Sequence, residues 1–346
     1  MFRTGLISLR SLLNVEVYST ARRQQPPPPF CVAVTSGVYR ECSGQTSKSE
    51  DAKTSSHHHA HPAVKTWFDD KDRSISATYR PQPWDFDHTG AVPIWKFLQQ
   101  TSFQWMDMYP HWFTPPENGP PFTDLFITRC MFIEFSRSFH NQIFPGCSLP
   151  YTLRICKVGK TSIVLKQQIL DTNCKDVIAE DRKHCISVSS KTRRPLPWAA
   201  WLPQRYPDLC SAPPVSTVEP FESIPAEPSF VHTVQVAPSD TDNYRHVGWF
   251  QYVRYCCDCA SFGAEQGAYA AITGDTVQCR VKRAEALYQG EARAGDVLTV
   301  ASWEDPQQPD LIKFQIKKGE DNITQCSLQF FTTLQTSAKP QRLELN

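Results

Sequence analysis

Two short segments of the sequence place a pair of aspartates just before a stretch with helical periodicity. The first segment contains Asp85 and Asp87, and the second contains Asp240 and Asp242. A carboxylate at the end of a strand can act as a base or a nucleophile, and the free N–H groups of a following helix can stabilise an oxyanion. These residues indicate chemistry at a carbonyl carbon. The alternative is structural, since an aspartate before a helix is often only an N-cap.

A histidine follows the second pair, because His246 lies four residues after Asp242. At that spacing it can share a site with the carboxylate, orient water or donate a hydrogen bond to the reacting group. A histidine in a turn is more commonly a surface residue held by local hydrogen bonds. Both interpretations stay open at this point.

An internal repeat carries the two motifs, with a period of 155 residues between Asp85 and Asp240. Each copy begins with an alternating, strand-like run, passes through the Asp-x-Asp turn and enters a segment with apolar residues at helical spacing. Four further strand-like runs follow each helix, and the first of them is predicted to cover residues 125–139. Each copy is therefore predicted to be an α+β unit, one long helix packed on an antiparallel sheet.

The repeat divides the chain into five predicted segments. They are a leader-like and disordered segment at 1–66, a first unit at 67–192, a proline-rich linker at 193–226, a second unit at 227–335 and a tail at 336–346. The two sheets are expected to pair edge to edge as a pseudo-dimer within one chain, because such pairing hides edge strands. The protein is expected to be this monomeric pseudo-dimer or a homodimer of it.

The two turns resemble the motif of a known family. The first copy reads DFDHTGAV from Asp85 to Val92, and the second reads DTDNYRHV from Asp240 to Val247. A strand, a D-x-D-x-x-G-x-V turn, a long helix and a four-stranded meander resemble the hotdog fold of 4-hydroxybenzoyl-CoA thioesterase-type proteins. The second copy is similar to the version in acyl-CoA thioesterases and plant acyl-ACP thioesterases, which are also tandem hotdogs. The resemblance covers about residues 67–335.

The resemblance implies roles for individual residues. It assigns the reacting carboxylate to Asp87 and Asp242. It assigns the oxyanion donors to the backbone N–H groups of Ile94 and Trp249, seven residues later in each copy.

Further site residues come from the same resemblance. Glu285 is the candidate carboxylate partner of His246, and Glu134 is its counterpart in the first copy. Asn243 and Tyr252 are assigned to substrate binding. For the two glutamates, a solvated strand face is the alternative interpretation.

The two copies depart from the family pattern in different ways. In the second copy, Arg245 stands where the family has glycine, and Tyr244 stands where the plant enzymes have a catalytic asparagine. In the first copy, Ala91 occupies the position of His246. We therefore expect an asymmetric pair in which Asp242 and His246 form the working site.

The resemblance implies hydrolysis of acyl thioesters, acyl-CoA or acyl-ACP, to free acid and thiol, with no metal and no redox cofactor. One alternative is a catalytically degenerate pair that binds acyl thioesters or a protein partner. A second alternative is dehydration or hydration of acyl thioesters on the same fold. Release of free thiol distinguishes hydrolysis from both.

Composition limits the possible partners. The formal net charge is +1, which gives no bulk electrostatic case for nucleic acid. No apolar run reaches the roughly 18 residues of a membrane span. The 13 cysteines lack the spacing of a zinc site and are expected to be reduced, as in an intracellular protein.

The first 23 residues have a distinct composition, with four arginines against a single acid, Glu16. Apolar residues recur among them at roughly helical spacing, a pattern that predicts a mitochondrial transit peptide. The alternative is a disordered tail with incidental basic residues, in which case the protein is expected in the cytoplasm.

Overall fold

The computed structural model describes residues 67–69, 73–215, 217–242, 244–273, 276 and 280–331. These residues form one antiparallel sheet of 11 strands with two long helices packed against it. The predicted leader-like segment at 1–66 and the tail at 336–346 lie outside the described residues. The transit-peptide assignment therefore stays a prediction.

Both halves of the chain contain a strand, a long helix and four strands in the same order, and the first half has one further short strand at its start. The first half consists of β1 (Trp67–Asp69), β2 (Ser74–Tyr79), α1 (Ile94–Phe113), β3 (Leu125–Phe135), α2 (Arg137–Gln142), β4 (Leu149–Val158), β5 (Ser162–Leu170) and β6 (Val177–Val188). Two short helices follow it, α3 (Trp201–Arg205) and α4 (Pro207–Ser211). The second half consists of β7 (Phe230–Gln235), α5 (Trp249–Glu265), β8 (Val281–Tyr288), β9 (Val297–Glu304), β10 (Leu311–Lys318) and β11 (Asp321–Phe330).

The strand order shows how the two halves join. Across the sheet the order is β1-β2-β4-β5-β6-β3-β8-β11-β10-β9-β7, so each half is a continuous set of strands. The halves meet where β3 pairs antiparallel with β8, with Ile133 opposite Ala284. This pairing leaves neither strand as an exposed edge, and it forms the predicted pseudo-dimer within one chain.

Aromatic residues pack the long helices onto the sheet. Phe97 of α1 contacts the rings of Tyr79, Phe135 and Phe139 at centroid distances of 5.4, 5.4 and 5.3 Å. In the second half, Val253 of α5 is fully buried within the same apolar core. Burying one large apolar side chain contributes about 1.5–3 kcal/mol, so these contacts fix the position of each helix and of its N-terminus.

One predicted strand is shorter than expected. The run predicted over residues 125–139 leaves the sheet after Phe135 and turns into the short helix α2. The reason is a local cap, because the Ser136 hydroxyl accepts a hydrogen bond from the Phe139 N–H at 3.3 Å. Side-chain caps of this kind compete with strand pairing.

The proline-rich segment after the first half packs closely on that half. Trp198 stacks on Phe122 at a centroid distance of 5.6 Å, and Leu202 is fully buried. The Tyr206 hydroxyl donates to the carbonyl oxygen of Trp112 at the end of α1, at 3.2 Å. These contacts tie the segment between the halves to the first one.

Three further features concern only the described residues. No helix in this part of the chain is long and apolar enough to cross a membrane. Ten cysteines lie in it, and all ten thiols are free. It holds no group of three or more His, Cys, Asp or Glu side chains arranged to bind a metal ion.

Candidate functional site

Asp87 and Asp242 occupy the same position in two turns with the same hydrogen-bond pattern. In each turn the aspartate N–H donates to the carbonyl oxygen four residues later, Ala91 or His246, at 2.8 Å. Oδ1 of each carboxylate accepts two backbone N–H groups, at 2.8 and 3.1 Å for Asp87 and at 2.8 and 3.2 Å for Asp242. Each turn therefore fixes its carboxylate through one oxygen, and the described residues donate no hydrogen bond to the other.

The two carboxylates differ in accessibility. Asp87 is half-buried and also accepts a hydrogen bond from the Thr89 hydroxyl at 2.5 Å. Arg280 of the second half in turn donates to that hydroxyl at 3.1 Å. Asp242 is exposed, and its turn has Tyr244 at the position of Thr89. The second carboxylate is therefore the more accessible of the two.

The first aspartate of each pair is buried and ties its turn to the following helix. Asp240 accepts hydrogen bonds from Arg254 at 2.7 Å and from the Tyr255 hydroxyl at 2.8 Å, both on α5. Asp85 accepts one from Gln100, which has the same position in α1 that Tyr255 has in α5. The first aspartate of each pair therefore holds its turn against the helix that follows.

The long helices begin at Ile94 and Trp249, the two residues that the resemblance names as oxyanion donors. Ahead of α5, the Gly248 N–H donates to the carbonyl oxygen of Asp240 at 3.2 Å, which folds the turn against the helix start. The N–H groups of Ile94, Trp249 and Phe250 have no acceptor among the described residues. Free first-turn N–H groups carry partial positive charge and can stabilise an anion.

His246 lies beside charged side chains from both halves. Its Nε2 is 3.5 Å from Oε2 of Glu291, and Arg193 binds the same carboxylate. The Lys318 ammonium donates to the Glu291 carbonyl oxygen at 3.0 Å. Burial, followed by the positive charges of Arg193 and Arg293, lowers the pKa of His246 below its usual 6.5. The imidazole is therefore neutral at pH 7 and able to accept a proton.

Glu285 does not meet His246 among the described contacts. It lies on β8 between two alanines that are buried under the helices. Because strand side chains alternate, Glu285 faces the opposite side of the sheet, where it forms an ion pair with Arg283. Glu134 is exposed on β3, opposite Arg283 in the register. The predicted carboxylate partner is thus separated from the turn by the sheet.

Tyr252 is buried and holds a loop against the second turn. Its hydroxyl accepts the Ala292 N–H at 2.9 Å, and the Val247 N–H donates to the carbonyl oxygen of Ala292 at 2.9 Å. Burial raises the pKa of Tyr252 to about 12. The loop carries Glu291, so Tyr252 positions the group that contacts His246. Asn243 lies outside the described residues.

A buried charged pair lies next to the start of α5 and was not predicted from the sequence. The Lys183 ammonium on β6 is 4.8 Å from the centre of the Trp249 ring and 2.7 Å from Oδ2 of Asp181. The available signal was the alternation along β6, because Asp181 and Lys183 share one face of the strand with the buried Ala179 and Cys185.

Comparison with known proteins identifies the fold. An acyl-ACP thioesterase from Bacteroides thetaiotaomicron VPI-5482 is similar with a TM-score of 0.58 and 14% identity, over 76% of this chain and 100% of that one. The 12:0-ACP thioesterase from Umbellularia californica is similar with a TM-score of 0.60 and 9% identity, over 75% and 94%. No protein-family model matches the sequence, and no curated protein is a significant match. The chain has an α+β fold of two tandem hotdog domains, which confirms the fold predicted from the repeat.

Proposed function

We propose that the protein hydrolyses acyl thioesters, acyl-CoA or acyl-ACP, at the second turn. The supporting observation is the accessible Asp242 carboxylate, held through Oδ1 at the end of a turn that leads into the free N–H groups of α5. Thioester hydrolysis requires both a reacting carboxylate and oxyanion donors. The two solved structures compared above are named as an acyl-ACP thioesterase and a 12:0-ACP thioesterase.

In the proposed reaction, Asp242 acts as a base or as the nucleophile. As a base, it takes a proton from water while the water oxygen adds to the thioester carbonyl carbon. The carbonyl oxygen becomes an oxyanion that accepts the N–H of Trp249. The C–S bond then breaks, the acid is released, and the thiolate leaves as a thiol after taking up a proton. Neutral His246 can carry this proton from solvent to the thiolate.

Positive charge around the second turn fits the proposed carriers. Arg193 and Lys318 contact Glu291 next to His246, and Arg293 lowers the pKa of the same imidazole. CoA and acyl carrier protein both present a phosphate on the pantetheine arm, and basic side chains bind phosphate. These residues do not favour one carrier over the other.

The first turn makes a weaker site. The Thr89 hydroxyl already donates to Asp87, and Ala91 lacks the imidazole that His246 provides. We propose one working site, at Asp242, with the first turn retained for its structural hydrogen bonds.

A thiol-release assay with Asp242→Asn tests the proposal, and Asp87→Asn is the matched control. The asparagine side-chain oxygen can still accept the N–H groups of Tyr244 and His246, so the turn is retained. We expect Asp242→Asn to lose activity by on the order of 100-fold or more, the contribution of a general base. Asp87→Asn is expected to stay near wild type.

Three outcomes contradict the proposal. If Asp242→Asn hydrolyses thioesters like wild type, the reacting carboxylate is elsewhere. If the wild-type protein binds acyl-CoA in calorimetry but releases no thiol, it is a catalytically degenerate pair of domains that binds acyl thioesters. Tyr244 and Arg245, which differ from the family residues at their positions, favour this alternative. A change in enoyl thioester absorbance without thiol release identifies a dehydratase or hydratase.

A further inference from the structure

A buried polar cluster lies between β5 and β6 of the first half. The Lys183 ammonium forms an ion pair with Oδ2 of Asp181 at 2.7 Å and donates to Oε1 of Gln167 at 3.0 Å. Gln167 and Asp181 are direct partners in the pairing of β5 with β6. Gln167 and Asp181 are each 2% exposed, and Lys183 is 4% exposed. Burying charges is costly unless every polar atom is paired.

Several polar atoms of this cluster have no hydrogen-bond partner among the described residues. They are Oδ1 of Asp181 and Nε2 of Gln167, and the hydroxyls of Tyr151 on β4 and Tyr288 on β8 are also buried without a partner among these residues. Burial raises the pKa of both tyrosines well above the usual 10. The Asp181 charge adds to the shift of Tyr151, and Cys326, Cys256 and Asp181 add to that of Tyr288. Buried polar atoms are nearly always satisfied in native proteins. Oδ1 of Asp181 and Nε2 of Gln167 are therefore able to bind a further polar group.

The cluster borders the candidate active site. The Lys183 ammonium lies 4.8 Å from the Trp249 ring centre, and the Tyr288 ring centre lies 6.3 Å from it. Trp249 begins α5 and supplies the proposed oxyanion donor. The cluster therefore contacts the side chain of the residue whose N–H is the proposed oxyanion donor.

In the described part of the second half, the matching strands β10 and β11 bury no Asp and no Lys. Their inner face buries Phe314, Cys326 and Leu328, each at most 1% exposed, together with the neutral Thr324. An apolar wall of this kind suits a plain hydrocarbon chain, whereas an ion pair with unsatisfied neighbours does not. The charged wall beside Trp249 is therefore a difference between two halves that share one fold.

We infer that this cluster binds a neutral oxygen, a hydroxyl or carbonyl group, on the acyl part of the substrate. The enzyme accordingly prefers oxygenated acyl thioesters to plain ones, an inference that rests on the proposed hydrolase function. A neutral group fits because Lys183 and Asp181 cancel in charge, while Gln167 Nε2 can donate and Asp181 Oδ1 can accept. The carboxylate of an acidic acyl group would be repelled by the Asp181 charge, because Lys183 is already paired with Asp181.

The test compares octanoyl-CoA with its mono-hydroxylated isomers in the thiol-release assay. We expect the kcat/KM of at least one isomer to exceed that of octanoyl-CoA by about tenfold or more, as sites built to bind a hydroxyl discriminate strongly. The double variant Asp181→Leu/Lys183→Met replaces the pair with apolar groups of similar size, a change that other folds tolerate. It is expected to bring this ratio close to one.

Two further variants keep the test specific. Tyr151→Phe removes a single unsatisfied hydroxyl and is expected to lower the ratio several-fold. The matched control Asp305→Asn/Lys313→Met removes another Asp–Lys pair, 2.6 Å apart, in which Asp305 directly follows β9 and Lys313 lies on β10. It is expected to keep the wild-type ratio.

The failure of this inference is distinguishable from the failure of the hydrolase function. If octanoyl-CoA is hydrolysed as well as every isomer, the cluster holds only water and the inference is overturned, while the hydrolase function stands. Calorimetry on Asp242→Asn also measures the ratio of the Kd of octanoyl-CoA to the Kd of each hydroxylated isomer. If a hydroxylated isomer binds more tightly than octanoyl-CoA but the wild-type protein hydrolyses neither, only the hydrolase function is overturned. A preference that survives in Asp181→Leu/Lys183→Met overturns the assignment to this cluster.

Discussion

Arg245 adopts the left-handed backbone conformation, at a φ of 62°, that Gly90 adopts at 76° in the equivalent turn of the first half. In both turns the N–H of this residue donates to the carbonyl oxygen of the second aspartate, at 2.9 Å for Arg245 and 3.0 Å for Gly90. A residue with a Cβ is less stable in this conformation by about 1–2 kcal/mol. The turn that holds Asp242 is therefore the strained copy, and strain of this kind is typical of functional sites.

Arg245→Gly is expected to raise the free energy of unfolding by about 1 kcal/mol, because glycine tolerates this φ. Gly90→Ala is expected to lower it by a similar amount. A Cβ at Gly90 would meet no atom within 4 Å, so the cost there is conformational alone. Urea unfolding of the two variants and wild type measures the effect. Three equal midpoints would contradict the strain assigned to the second turn.

Tyr255→Phe tests the link between the second turn and α5. The tyrosine hydroxyl donates to Asp240 at 2.8 Å, and Asp240 is only 5% exposed. A hydrogen bond to a charged group contributes roughly 1.5–3 kcal/mol, so we expect the unfolding free energy to fall by about 2 kcal/mol. In an Asp240→Asn background the same substitution is expected to cost less, since the acceptor is uncharged. Equal costs in both backgrounds would argue against the pairing.

Local chemistry explains what the sequence predicted well. The hydrogen bonds that the second aspartate of each turn makes involve only residues within four positions of it. Ile94 and Trp249, which the resemblance names as N–H donors, are the first residues of α1 and α5. The repeat predicted two equivalent units. In each of them the apolar face of the helix must be buried against the apolar face of the sheet, which predicted the α+β packing. The same reasoning predicted their edge-to-edge pairing.

Long-range contacts explain what the sequence did not predict. Lys183 meets Trp249 only because β6 of the first half lies beside the start of α5 in the second. Glu285 faces away from His246 because the register of β8 directs its side chain to the other side of the sheet. Short sequence motifs hold no information on either relationship. The alternation along β6 places Asp181 and Lys183 on the face of Ala179 and Cys185, but it holds no information on their neighbour in the second half.

Arg193→Gln tests the electrostatics around His246. The positive charge of Arg193 helps to lower the pKa of His246, so its removal is expected to raise that pKa towards 6.5. If neutral His246 takes part in the reaction, the acid limb of the kcat/KM profile moves to higher pH in the same direction. Titration of His246 by NMR, assigned with a His246→Gln variant, measures the shift.

Arg194→Gln is the matched control for Arg193→Gln, because the neighbouring Arg194 is exposed and does not contribute to the shift at His246. It is expected to leave the titration unchanged. Equal shifts in both variants would mean that net charge, and not the contact at Glu291, sets the pKa of His246.

His140 provides a separate test, of the junction between the halves. It lies on α2 of the first half, and its Nε2 is 2.9 Å from the carbonyl oxygen of Val281 in the second. A carbonyl only accepts, so Nε2 carries the proton in the neutral ring. The ring packs between Phe139 and Phe331, at 5.3 and 5.8 Å. Burial lowers the pKa of His140 from 6.5 to about 4.

This shift makes the folded protein less stable in acid, in the window between pH 4 and 6.5 that the two pKa values define. There the unfolded chain binds a proton at His140 that the folded protein excludes, so stability falls as the pH falls. Between pH 7.5 and pH 5 this residue is expected to account for about 2 kcal/mol of the loss. His140→Gln can still donate to Val281 and does not titrate. Urea unfolding at both pH values should therefore show a smaller loss in the variant, whereas parallel losses would mean that His140 titrates normally in the folded state.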